Sequence, residues 1–282
     1  MNKTEFIARF DNIQKIKKGG QKIVYKAKTK SGDFIAVKLI YNADDPRIQQ
    51  EIEILTKMQI PNTPKILETG YIQDDETQEN ALYIIEEYID GQSLRDQLNS
   101  GKKYNLAEAY NLLEKLLIIE TDLESKSLLH RDINPNNIML SNDSSVILID
   151  FGLAKNLKGK ALTDTNALNG PFTPGYAPNE QVSNKRMEQD VRTDLFQIGV
   201  TIYECCNGCN PFCSDNDNIY DVLHKTTTFN PPLLKLSGDT QCMFAQLVAM
   251  LMAKNSSQRP DSANAAIRYL KAIRSTLILE EK

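Results

Sequence analysis

Two apolar runs open the pattern. Ile23 to Lys28 (IVYKAK) and Phe34 to Ile40 (FIAVKLI) are rich in β-branched and aromatic residues and are separated by Ser31-Gly32-Asp33, which predicts a β-hairpin. From Pro46 to Gln59 the period changes. Ile48, Ile52 and Leu55 fall on one helical face, with the proline near the start where a missing N–H costs nothing. Ala81 to Glu87 (ALYIIEE) predicts another strand. Past Asp90-Gly91 the texture turns helical. Asn105 to Ser125 is a long apolar-periodic helix, and Val146 to Asp150 (VILID) a short buried strand. Arg192 to Cys206, Gln241 to Lys254 and Ser262 to Leu279 predict further helices. The expected fold class is therefore α+β. A small antiparallel sheet lobe with one helix, about residues 1–88, precedes a larger helical lobe, about 92–282. The joint falls at about 87–91, and clefts at such joints are common ligand sites.

Composition narrows the classes. With 282 residues, 41% of them hydrophobic and 25% charged, the chain can bury a sizeable core. Its formal charge of −4 gives no general attraction to nucleic acid or to an anionic membrane. No apolar stretch approaches the roughly 20 residues that span a bilayer, and the first twenty residues lack the apolar core of a signal peptide. An odd count of five cysteines argues against a disulfide framework and fits a reducing, cytoplasmic address.

Several fragments suggest chemistry on anionic substrates. Ala36-Val37-Lys38 sets a lysine in an apolar strand, where an ammonium is costly unless it meets an anion or reaches water. Glu51 on the following helix is a natural carboxylate partner, and phosphate oxygens would serve as well. In His130-Arg131-Asp132-Ile133-Asn134-Pro135-Asn136-Asn137, Asp132 is suited to accept or orient a hydroxyl proton. Asn137 offers a carbonyl oxygen fit for magnesium. Asp150-Phe151-Gly152 ends the short strand with a second candidate ligand. Singly, such turns are frequent in loops without catalysis.

Taken in order, these residues resemble the protein kinase family, and in texture its bacterial, eukaryotic-like serine/threonine members. The resemblance runs from about Ile16 to Pro260. It includes Ala36–Lys38, Glu51, His130–Asn137 and Asp150–Gly152, then Thr173–Gln181 (TPGYAPNEQ), Thr193–Glu204, Asn210–Phe212 and Gln258–Pro260. It implies a bilobal fold that uses ATP and Mg2+ to phosphorylate serine or threonine hydroxyls of a protein substrate, with autophosphorylation among the expected reactions; charge and the lack of an apolar span make neither nucleic acid nor membrane an expected partner. By the same resemblance Lys38 holds the α- and β-phosphates and pairs with Glu51. Asp132 is the catalytic base, and Asn137 and Asp150 ligate magnesium. Gly19 and Gly20 cover the phosphates, and Val24, Ala36 and Met139 sandwich the adenine. The backbone at Glu87 and Ile89 meets the adenine edge, with Ser93 near the ribose. Glu180 pairs with Arg259, and Asp194 anchors the catalytic loop. Arg131 reads a phosphorylated loop over 153–172, where Thr163 and Thr165 are candidate acceptors beside Lys158 and Lys160; Thr173 completes the regulatory set.

The pattern also breaks. Lys17 and Lys22 stand where the family has glycines that let backbone amides approach phosphate. Asn134 stands where a lysine usually steadies the γ-phosphate, and asparagine cannot neutralise charge. Glu86 falls at the back of the expected adenine pocket, where a buried carboxylate needs a partner such as Lys38 or a hydroxyl. These breaks motivate a rival reading, a nucleotide-binding pseudokinase scaffold. A small-molecule phosphotransferase is a third, opposed by the His-Arg-Asp triplet and the Thr173–Gln181 segment. Cys205, Cys206, Cys209 and Cys213 cluster as zinc ligands do, but the first two end an apolar helix, where buried inert thiols are expected.

Overall fold

The apolar alternation at the start of the chain is realised as a sheet. A computed structural model describes residues 1–18, 22–41, 46–75, 79–157 and 172–279; the side chains of residues 46, 47, 49, 50 and 186 are outside that description. The chain divides into two compact units, Met1–Gly91 and Gln92–Lys282.

The first unit is built on five antiparallel strands. They are β1 (Phe10–Lys18), β2 (Lys22–Thr29), β3 (Phe34–Ile40), β4 (Ile66–Gln73) and β5 (Asn80–Glu87), in the order β1-β2-β3-β5-β4. One face packs Phe6, Ala27, Val37, Leu39, Ile72 and Ile85 with the short helix α1 (Lys3–Ile7). On the other face Ile40, Leu82 and Ile84 receive Ile48 and Ile52 of α2 (Pro46–Lys57), the helix that the apolar period predicts. Strands β1 and β4 escaped the sequence reading. β1 is almost wholly exposed and β4 buries at most every second residue, so neither leaves a strong apolar signal, as edge strands do.

β6 (Gly91–Ser93) leads into the second unit, which is mainly helical. Its helices are α3 (Leu94–Asn99), α4 (Leu106–Ser125), α5 (Asn179–Val182), α6 (Val191–Asn207), α7 (Ile219–Thr228), α8 (Met243–Leu251) and α9 (Ala263–Ile273). Short strands β7 (Leu128–Leu129), β8 (Ile138–Ser141), β9 (Val146–Leu148) and β10 (Lys155–Asn156) lie between α4 and α5 in sequence, with β8 paired to β9 and β7 to β10. Asn105 caps α4 with a reciprocal Glu108 contact, which explains why the predicted helix begins there. α6 stops at Gly208, whose φ of +90° is a backbone state that glycine adopts without a Cβ penalty. Almost all of α6 is buried, among α4 and α8. The last helix ends earlier than its apolar pattern suggests, at Ile273, and continues as a 3-10 turn over Arg274–Thr276. Gly19, Gly20, Thr163, Thr165, Lys158 and Lys160 lie outside the described residues.

Candidate active site

In the first unit, strand register sets the chemistry. Pairing places Val24 opposite Lys38 and Ala36 opposite Glu86, so these four share one sheet face. The Lys38 ammonium is buried and lies 3.5 Å from Glu51 Oε1, the pairing expected from the sequence. It lies nearer still to Glu86, 2.7 Å from Oε2, in an ion pair that is not an aligned hydrogen bond. Lys22 approaches Glu51 at 3.9 Å. Burial pushes the Glu86 carboxyl above its ordinary range, against the pull of Lys38. Glu87 and Ile89 are half-buried, and the Glu87 N–H donates to the Lys65 carbonyl at 3.0 Å.

In the second unit, the loop from His130 to Asn137 is held from beneath by α6. The fully buried Asp194 carboxylate accepts the His130 and Arg131 N–H groups, each at 2.7 Å, the anchoring expected of it. Gln197 accepts the Ile133 N–H at 2.7 Å and donates to the Arg131 carbonyl at 2.9 Å. Gln181 donates to that same carbonyl at 2.8 Å and is joined to Gln197 at 2.9 Å. These two glutamines fix the loop, and the sequence reading assigned them nothing. Buried side-chain amides that serve main-chain groups leave no periodic signal. Burial pushes Asp194 up to about 7 despite its two donors.

His130 is fully buried. Its Nδ1 accepts the Asp132 N–H at 3.2 Å and its Nε2 faces the Ile149 carbonyl at 3.3 Å, which fixes one neutral tautomer. Its ring meets Phe151 edge-on at 4.7 Å, and burial lowers its pKa to about 4. Arg131 and Asp150 both have left-handed backbones, with φ of +66° and +67°. Such conformations in non-glycine residues carry local strain and gather where geometry serves function.

Asp132 is the focus of the loop. Asn134 Nδ2 donates to its Oδ1 at 2.9 Å, Asn137 Nδ2 to its Oδ2 at 2.7 Å, and Thr173 Oγ1 to its Oδ1 at 2.5 Å. Burial raises its pKa to about 6, the Asp150 charge adds to the rise, and the three donors oppose it. Asn134 Oδ1 meanwhile accepts from Asn136 N at 3.0 Å, so Asn134 orients the carboxylate and braces the turn. Thr173, placed with regulatory positions by sequence, is engaged at this carboxylate. Ser93 caps α3, donating to Asp96 Oδ2 at 2.6 Å and accepting the Asp96 N–H. Met139 is half-buried on β8, paired with Ile147.

The donor set suits a hard cation. With its amide nitrogen committed to Asp132, Asn137 turns its carbonyl oxygen away, and Asp150 supplies a carboxylate within electrostatic reach of Asp132. Among the described residues no three His, Cys, Asp or Glu side chains gather as a metal site. Cys205 and Cys206 are buried, their thiols pushed up by burial, whereas Cys209 is exposed. Glu180 and Arg259 form the predicted buried pair at 2.6 Å. Among the described residues no helix is long and apolar enough to cross a membrane.

A sheet unit with a buried Lys–Glu pair, followed by a helical unit whose Asp-centred loop is anchored on a buried aspartate, defines the protein kinase class. Residues 10–269 match the family model for the protein kinase domain, and the chain belongs to that family. It is 27% identical over 273 residues to a probable serine/threonine-protein kinase of Clostridium perfringens, covering 94% of this chain and 38% of that protein. It is 29% identical over 275 residues to serine/threonine-protein kinase pkn3 of Myxococcus xanthus, covering 92% and 48%. Against a probable serine/threonine-protein kinase PknB of Lactococcus lactis the identity is 27% over 262 residues, covering 90% and 40%. The chain thus spans less than half the length of these relatives.

Proposed function

We propose that this chain transfers the γ-phosphoryl group of ATP to serine or threonine hydroxyls of a protein substrate. The observation that carries the reading is the Asp132 carboxylate, poised near pH 6 and already accepting a threonine hydroxyl at 2.5 Å. An acceptor hydroxyl in the same place would have its proton oriented toward Oδ1 and drawn off as the oxygen attacks phosphorus. Asn134 and Asn137 keep that carboxylate aimed. Lys38, steadied by Glu51, would hold phosphate oxygens by charge. Val24 and Ala36 offer an apolar face to the adenine, with Met139 opposite in role, Glu87 and Ile89 meeting its edge and Ser93 near the ribose. Asn137 and Asp150 would hold magnesium, which supplies charge neutralisation to the phosphates when bound. The reaction is assigned to the cytoplasm. Autophosphorylation at Thr163 or Thr165, read by Arg131, belongs to the same proposal and is testable by phosphopeptide mass spectrometry.

A second reading, a nucleotide-binding scaffold without transfer, is favoured by one observation: Lys38 sits closer to Glu86 than to Glu51. Incubation with γ-labelled ATP, magnesium and a mixed protein acceptor, followed by phosphoamino acid analysis, separates the two. Label recovered as phosphoserine or phosphothreonine is expected. Nucleotide binding with no protein label would overturn transfer and leave the scaffold.

A further inference from the structure

Glu86 is the feature that the proposed mechanism does not use. By register it shares a sheet face with Ala36 and Lys38, and Lys22, opposite Ile40, lies on that face too. α2 adds Glu51. Four charges therefore meet in one patch. Glu51, Glu86 and Lys38 are all buried, and Lys22 is a quarter exposed. Two carboxylates balance two ammoniums. The tightest contact in the set is Lys38–Glu86 at 2.7 Å, against 3.5 Å for Lys38–Glu51 and 3.9 Å for Lys22–Glu51.

We propose that Glu86 is an affinity-setting residue: its carboxylate competes with the phosphates of the nucleotide for the Lys38 ammonium. The proposal rests on the reading of Lys38 as the phosphate-binding lysine. The ammonium carries a single positive charge, and Glu86 at 2.7 Å takes the closest share of it before any phosphate arrives. A carboxylate 2.7 Å away also cancels much of the field that would draw a phosphate in. Lys22, standing where the family pattern has a glycine, restores part of the balance by approaching Glu51. It leaves Glu51 less dependent on Lys38, which is consistent with the longer Lys38–Glu51 distance. Because burial already pushes the Glu86 carboxyl upward, it can be left without its ammonium by taking up a proton from solvent.

The test is calorimetric titration of ATP and of adenosine into wild-type chain, Glu86→Gln and Glu86→Met. Gln keeps the shape and removes the charge; Met removes the acceptors as well. Both variants should bind ATP about tenfold more tightly, a change of one decade in Kd. Adenosine, which lacks phosphates, should bind with unchanged affinity. The proposal is overturned if ATP affinity is unchanged or weaker in variants whose melting temperatures match wild type. It is equally overturned if adenosine tightens as much as ATP, since that marks a change in pocket shape and not competition at Lys38. Lys38→Met provides the separate check. If that variant binds ATP as well as wild type does, the assignment of Lys38 to phosphate fails, whatever the Glu86 variants show.

Discussion

Replacing Arg259 with methionine is the sharpest stability test of the second unit. The guanidinium is buried and makes a dense set of contacts. It donates to Glu180 Oε1 at 2.6 Å, and to the carbonyls of Ala253 and Arg192 at 2.8 Å each, while its carbon lies 4.9 Å from the Phe196 ring centre. Methionine fills much of the volume and satisfies none of these. The Glu180 carboxylate would stay buried with the Thr193 hydroxyl, 3.2 Å away, as its remaining side-chain donor. Stranding one member of a buried pair costs about 3–5 kcal/mol. For a unit of this size each kcal/mol lowers the melting temperature by about 2–4 °C, so a fall of roughly 10 °C is expected. The loss should reach the loop at Asp132, because Gln181, next to Glu180, holds the Arg131 carbonyl. The assay is thermal unfolding by circular dichroism on wild type, Arg259→Met, and the double variant that also carries Glu180→Met. Removing both charges takes away the stranded carboxylate, so the double variant should recover at least half of the lost temperature. A single variant within about 1 kcal/mol of wild type, or a double variant no better than the single, would refute the reasoning.

Two further outcomes follow from the site and its surroundings. If Asp132 must be ionised to act, kcat should fall as pH drops through about 6. The Thr173 hydroxyl stabilises the ionised form, so Thr173→Val should move that acid limb to higher pH, and a limb that stays put or moves down would count against the assignment. Glu120 is fully buried on α4, with no hydrogen-bond partner for either carboxyl oxygen among the described residues, and burial raises its pKa well above the carboxylate range. Glu120→Leu should therefore stabilise the chain, by about 1–3 kcal/mol in denaturant unfolding, and a loss of stability would show that the carboxyl has a use.

Legibility followed from the kind of signal each residue leaves. The β2–β3 hairpin, α2, α4 and α6 were readable because burial imposes a period on apolar side chains, and turns and caps such as Gly32 and Asn105 mark their ends. β1 was not, since a strand whose side chains mostly face water carries polar residues without alternation, Lys15, Lys17 and Lys18 among them. The Lys38–Glu51 and Glu180–Arg259 pairs were anticipated from the family resemblance, and both are present. A buried carboxylate at Glu86 calls for a partner, Lys38 or a hydroxyl, and the structure pairs it with Lys38. The orientation of Asn134 was beyond the sequence. Its amide is directed at Asp132, because a side chain two residues along a tight turn folds back on the preceding carboxylate. The roles of Gln181 and Gln197 depend on the precise path of the loop they support, and no spacing rule encodes that path.

The most direct test of the central claim is phosphoryl transfer measured on wild type and Asp132→Asn, side by side, with ATP and a protein acceptor. Asparagine keeps the hydrogen-bond acceptor but cannot take a proton. The rate should fall by about 10²–10⁴-fold while ATP affinity and melting temperature stay close to wild type. Equal rates in the two proteins would contradict the account.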